Sequence, residues 1–236
     1  MSQDITPAAQ GGALAQRSGG VLGFGENISS SDIRLPRIEL TQALSGSVQD
    51  GTHKQGTLIN SLTKEALAEP VTVIPVFASK SVIKWKPRKE GGGIVYKTSN
   101  FNDPQVKEDV QWHGDEKPAA TVYINIVCLV DGQPMPLVAS FCNTSQKAGF
   151  NLLSMIAMTG KAWAYKYVLT PVLKENSQGK FFVLSVKMGK PTTAEEQAAA
   201  EKMFAMVSTF ESIDTDYEGD TTGDAAPAAP AKPEEF

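Results

Sequence analysis

The sequence predicts a mainly β domain: a small antiparallel barrel with one helix before its closing hairpin and an extra helix behind it, flanked by disordered tails. Three observations carry that prediction. Apolar, β-branched runs recur between residues 56 and 188, separated by Gly-, Asn- and Pro-containing turns. One helical pattern interrupts them at 143–160. A second, opened by Thr193 and Glu196, closes the apolar part of the chain at 192–210.

Each element has its own justification. Residues 1–33, rich in Gly, Ser, Ala and Gln without sustained periodicity, are expected to be flexible. The core begins at "IRLPRIELTQALSGSV". Strands are expected at "GTLIN" (56–60), "VTVIPVFASKSVIKWK" (71–86) and "GIVYK" (93–97). A polar stretch from Thr98 to Pro118 separates them from "ATVYINIVCLV" (120–130) and "PLVASFC" (136–142). Between these two, Asp-Gly in "DGQP" (131–134) suits the positive φ angles of a hairpin turn. Ala148, Leu152, Met155 (or Ile156) and Thr159 then follow helical spacing, with Asn143–Ser145 offering N-cap side chains and Gly160 a stop. Strand character returns in "AWAYKYVLTPVLKE" (162–175), turns at "NSQG" (176–179) and continues in "KFFVLSVKM" (180–188). The last helix has a capping box at Thr193 and Glu196, and one apolar face through Met203, Met206 (or Val207) and Phe210. Strands, one helix, then a hairpin is the order of the OB-fold, a five-stranded Greek-key barrel, and other small antiparallel barrels share it. The domain is therefore placed at 34–210, with a disordered acidic tail at 211–236.

Composition narrows the function classes. With 236 residues and 41% hydrophobic content the chain can build a real core. No apolar run approaches the roughly 20 residues of a membrane helix. The N-terminus lacks the basic start and apolar stretch of a signal peptide, so a cytoplasmic location is expected. Cys128 and Cys142, within apolar runs, read as buried thiols rather than a disulfide or metal pair. The net charge of −4 is unevenly spread: residues 34–210 hold 20 Lys/Arg against 15 Asp/Glu, whereas residues 211–236 hold 8 acids and one Lys. A basic body joined to an acidic tail suits an anion-binding surface and an interacting tether.

Catalytic constellations are missing from the pattern. His53 and His113 have no neighbours at metal-ligand spacing. "TGKA" (159–162) imitates the end of a P-loop, but Met155 replaces its first Gly and Ala162 its Ser or Thr. "GVLGFG" (20–25) follows no strand, and "EGGG" (90–93) reads as a loose hairpin turn. A non-enzyme without cofactor or metal is expected.

Three stretches instead interleave cations with rings, the combination that holds single-stranded nucleic acid. "KSVIKWKPRK" places Lys80, Lys84, Lys86, Arg88 and Lys89 around Trp85, with Tyr96 and Lys97 on the following strand. By alternation, Lys84 and Lys86 share one face and Trp85 takes the other. "KAWAYKYVL" spaces Trp163, Tyr165 and Tyr167 by two, with Lys161 in register and Lys166 opposite. "GKFFVLSVK" adds Lys180, Phe181 (or Phe182) and Lys187. Trp112, in the polar "VQWHGDEK", and Lys147, near a helix start, complete the candidates. The competing reading is that period-two aromatics form the buried face of a strand and that surface lysines only keep the protein soluble. Both readings stand at this point.

The tail, "DTDYEGDTTGDAAPAAPAKPEEF", buries too little apolar surface to fold alone. Its candidate partner-binding residues are Asp214, Asp216, Glu218, Asp220, Asp224, Glu234, Glu235 and the terminal Phe236. About twenty disordered residues span about 25 Å, so the acids can occupy the basic body until a strand displaces them, and the lone ring can anchor in a partner's pocket.

A basic OB-like body followed by an acidic tail ending in Phe resembles bacterial and especially bacteriophage single-stranded-DNA-binding proteins. The resemblance extends to "LPRIELTQALSGSV" (35–48), "SFCNTSQKAGFNLLSMI" (140–156) and "YKYVLTPVLKENSQGKFFVLSVKMGKPTTAEEQAAAEKMF" (165–204). The tail departs from the densest examples in carrying only two acids next to its last residue. The resemblance implies sequence-independent binding to replication and recombination intermediates, contact with DNA polymerase or related proteins through the tail, no catalysis, and residence in the host cytoplasm. A homodimer and an RNA ligand are compatible with the same features. The alternative is a non-catalytic phage structural or assembly protein whose aromatic faces pack against other subunits.

Overall fold

Val71–Trp85, nearly unbroken in apolar and β-branched residues, becomes one strand of 15 residues on which three others pair. The computed structural model describes residues 34–114, 116–176, 179–208 and 214–215. In chain order the elements are β1 (Arg34–Leu35), β2 (Arg37–Leu40), α1 (Gly46–Gln49), β3 (Leu58–Asn60), β4 (Val71–Trp85), β5 (Ile94–Thr98) and α2 (Pro104–Asp109). There follow β6 (Ala120–Val130), β7 (Leu137–Phe141), α3 (Gln146–Thr159), β8 (Tyr165–Asn176), β9 (Gly179–Pro191), α4 (Ala194–Val207) and β10 (Asp214–Thr215).

Eight strands form one mixed sheet in the order β3-β2-β7-β6-β4-β8-β9, with β5 beside β4. All its pairs are antiparallel except β2 with β7. Along β4, residues 71–73 face β8 and residues 82–85 face β5, while residues 73–84 pair with β6 on the other edge. The sheet curls into a half-barrel. The expected antiparallel barrel is found as this open, curled sheet: β2 lies on the free edge of β7 in parallel register, and no ladder among the described residues joins β3 to β9. A side chain bridges the seam instead. The Gln42 amide donates to the Phe182 carbonyl at 2.8 Å and accepts from the Phe182 N–H at 2.9 Å. Ser145 Oγ accepts from the Leu184 N–H at 3.1 Å. Gly56 permits the close approach, since a Cβ there would lie 2.6 Å from the Phe182 ring.

The concave face buries Val73, Ile124, Ile126, Cys128, Leu137 and Phe141, and α3 covers it through Leu152. Gly149 lets the helix descend: a Cβ there would meet Phe141 Cβ at 2.7 Å. The convex face receives α4, whose Ala200, Met203 and Val207 pack on Ile74, Val76, Val127 and Val138. The expected capping box is present, Thr193 Oγ1 accepting from the Glu196 N–H and the Glu196 carboxylate from the Thr193 N–H. Asn143–Ser145, expected to cap α3, form a 3-10 turn with no side-chain cap, and Ser145 serves β9. Gly160 ends α3 in the left-handed region at φ 75°.

The Thr98–Pro118 stretch is not merely polar. It contains α2, capped by Asp103, which accepts from the Gln105 N–H at 2.8 Å, with Pro104 in the first turn. Val106 of α2 is buried with Val82 and Ala120. Both cysteines are thiols, in different clusters of the core; burial pushes the Cys128 thiol up to about 12, and Cys142 is half-buried. Asp214 and Thr215, expected within an unstructured tail, pair in parallel with Arg34 and Leu35. No described helix is long and apolar enough to cross a membrane.

Candidate nucleic-acid interface

The β4–β5 hairpin closes through residues 86–93, where Gly91, Gly92 and Gly93 all take positive φ, so "EGGG" does form the loose turn. Lys84 and Tyr96 face each other across it. Both reach one carboxylate of α2: Lys84 Nζ lies 2.8 and 3.0 Å from the two Asp109 oxygens, and the Tyr96 hydroxyl donates to Asp109 at 2.7 Å. These bonds, Lys84's first, hold the Asp109 carboxyl below its ordinary range. Burial and then the Asp109 bond push the Tyr96 phenol up to about 12. Lys84 and Tyr96 therefore anchor α2.

Other candidates on this arm are more open. Lys80 is exposed, with its ammonium 4.7 Å from the Phe101 ring centroid. Lys86 and Lys89 are exposed in the turn, and Arg88 begins the 3-10 segment Arg88–Glu90. Trp85 is half-buried against Ile83 and Tyr123, and Lys97 stands opposite Ile83 on the same face. Trp112, just beyond α2, is 65% exposed. The neighbouring His113 lies 3.2 Å from Glu108.

The second stretch is built differently. Lys161 pairs with Glu201 at 3.4 Å and Lys166 with Glu196 at 2.5 Å, both acids belonging to α4. Trp163 packs on Phe204 with ring centroids 5.4 Å apart, beside Ile74 and Val76. Tyr167 is fully buried in the concave core, with Tyr165 half-buried against it. Burial raises the Tyr167 phenol above its ordinary value. The expectation that Trp163, Tyr165 and Tyr167 share one face is corrected: Trp163 precedes β8 and joins the α4 cluster, and a register shift lies between Tyr165 and Tyr167. The buried-face reading describes Tyr167.

On the β8–β9 hairpin, Lys180 stands opposite Glu175, Phe181 opposite Lys174, and the exposed Lys187 opposite Val168. Lys147 is exposed in the first turn of α3. Thus the structure gathers Lys80, Lys84, Trp85, Lys86, Lys89, Tyr96, Lys97 and Trp112 at one end of β4, with Arg88 in the same turn, and sets Lys147, Lys161, Trp163, Tyr165, Lys166, Tyr167, Lys180, Phe181 and Lys187 elsewhere. Of the tail candidates, Asp214 lies in β10, while Asp216, Glu218, Asp220, Asp224, Glu234, Glu235 and Phe236 lie outside the described residues. Sequence reasoning missed Asp109 and Phe101; the Asp103–Pro104 pair was the available signal for the helix that brings Asp109 into place. Among the described residues, no group of three or more His, Cys, Asp or Glu side chains is placed to hold a metal ion.

A curled, open half-barrel with a helix on each face and a basic, ring-bearing arm defines the class: a β-rich domain elaborated with helices. Residues 9–213 match the family described as Pam3 phage gp34-like protein, and the chain belongs to that phage family. Neither a curated protein nor a solved structure matches it.

Proposed function

We propose that this protein binds single-stranded DNA without sequence preference, protecting it and keeping it unpaired. The observation that carries this reading is the end of β4, where Lys86 and Lys89 are exposed next to the half-buried Trp85 and Trp112 is exposed just beyond α2. Cations there meet phosphates and rings meet base faces, which suits any sequence. The fold supports the same reading. The pairs β7–β6, β6–β4, β4–β8 and β8–β9, with α3 between β7 and β8, follow the strand path of an OB-fold opened at one seam. On that mapping the β4–β6 connection and the β8–β9 turn are the two loops with which OB-folds hold oligonucleotides. The acidic segment after residue 210 competes for the same arm and recruits basic pockets on replication or recombination proteins such as DNA polymerase, Phe236 supplying the anchor. The protein works in the host cytoplasm.

Titrating the full chain with oligo-dT while following tryptophan fluorescence tests this. Quenching is expected, with an affinity that falls as salt rises. Absence of both quenching and a mobility shift at low salt sinks the reading. A chain ending at Phe210 should bind oligo-dT more tightly than the full chain; equal affinity removes the competition and leaves recruitment standing.

One observation favours a phage structural or assembly role instead: Phe150 and Met158 on α3 are 47% and 86% exposed, at a spacing that puts them on one side of the helix. A protein of that kind assembles, or copurifies with virions, and ignores oligonucleotides.

A further inference from the structure

Between β8 and β5, one edge of β4 pairs with no described strand. Val73 is the last residue facing β8 and Val82 the first facing β5, so residues 74–81 pair only with β6 on the opposite edge. The Lys86 N–H donates to the Gly93 carbonyl across the β4–β5 hairpin. By alternation along the strand, Lys84, Val82, Lys80 and Ala78 direct their N–H and C=O groups the same way. Ala78 and Lys80 are both exposed, and on that edge neither pairs with a described strand. Beside them, the Lys80 ammonium makes no ion pair among the described residues and rests on the Phe101 ring. Phe101 itself is half-buried, packed toward Val82 and Val106 at the foot of α2.

Resting on the single-stranded-DNA reading, the geometry points to a subsite for one nucleotide here, in which Phe101 stacks a base. On this edge the N–H groups of Ala78 and Lys80 lack a described strand partner, and the Lys80 ammonium on its flexible stem can join them, a set that suits a phosphate. When Lys80 swings from the ring to that phosphate, it uncovers the aromatic face on which the adjoining base stacks. Lys84 cannot take this part, because Asp109 holds it. The cation–ring contact keeps the apolar face covered until a strand arrives, so Lys80 and Phe101 act as one exchanging pair.

The test uses two probes of equal length, longer than the roughly 16 nucleotides an OB-fold covers: oligo-dT and an abasic oligomer with the same phosphates. Phe101→Leu should lose about fivefold to a hundredfold in affinity for oligo-dT and bind the abasic oligomer as the natural chain does. Phe101→Tyr should retain both affinities. Lys80→Gln should weaken both probes and reduce the salt slope by about 0.7. If Phe101→Leu binds oligo-dT normally, or loses both probes equally as a merely packing residue would, the subsite is overturned. If the natural chain has no affinity for oligo-dT, the functional reading falls and this subsite with it.

Discussion

Two regions of the molecule use the same vocabulary, a tryptophan among lysines, and end differently. At the start of β8, Lys161 and Lys166 each meet a glutamate of α4, and Trp163 is clamped beneath Phe204. At the end of β4, Asp109 takes Lys84, and Lys86, Lys89 and Trp112 remain exposed. What separates them is the helix laid across each. α4 brings Glu196 and Glu201 plus an apolar face onto its lysines and ring, whereas α2 brings Asp109 onto Lys84 and Tyr96 and leaves Lys86 and Lys89 exposed. Alternating rings and lysines thus mark a strand; the charge of whatever packs on that strand decides whether it can meet an anion.

The tryptophans offer the largest contrast. Trp163→Ala should lower unfolding stability by about 3 kcal/mol, because it empties the space under Phe204, and leave oligo-dT affinity of the folded protein unchanged. Trp112→Ala should change stability by less than about 0.5 kcal/mol and remove the greater share of oligo-dT quenching. Denaturant melts and fluorescence titrations read both. A Trp163 variant that melts normally but loses DNA would exchange the roles of the two regions.

A smaller effect lies in salt dependence. Each phosphate contact removed from a single strand should flatten the plot of log affinity against log salt by about 0.7. Lys86→Gln and Lys89→Gln should each do so. Lys161→Gln and Lys166→Gln should not, since those ammonium groups are held by α4. Equal flattening by all four would mean that the ion pairs open on binding and that the regions form one surface.

Much of this fold could be read from sequence where one residue type repeats at a fixed period. β4 and β6 appeared within a residue of their bounds because both carry long β-branched runs. α4 appeared because Thr193 and Glu196 can cap only a helix start. The losses came where contacts are distant or registers slip. β2 joins β7 across about a hundred residues of chain, in parallel, and nothing in "PRIEL" announces that partner. Trp163 left the face of Tyr167 because its surroundings are set by α4 and by a register shift in β8, which a count of two cannot foresee. The state of Lys84 depends on Asp109, 25 residues away on a helix whose only local sign was Asp-Pro.

The smallest expected effect is a pH dependence that differs between the regions. Asp109 and Glu196 both have carboxyls held below their ordinary values, Asp109 by Lys84 and then Tyr96, Glu196 by Lys166 and then the Thr193 backbone. A depressed carboxyl contributes stability that is complete above its unfolded value and disappears as pH falls through its folded one, so both helices loosen in acid. The alkaline limbs have separate causes. Tyr96, pushed up to about 12, loses its contribution as pH rises from the ordinary phenol value to that point. Lys166 is raised above the ordinary lysine range, chiefly by Glu196, and its contribution fades as pH passes through that raised value. A protein keeping only Trp112 reports on α2, and one keeping only Trp163 reports on α4. Asp109→Asn should flatten the acid limb seen by Trp112 and leave that of Trp163 in place. An identical change at both reporters would show that α2 and α4 loosen together, and the two regions would then be distinct in charge but not in stability.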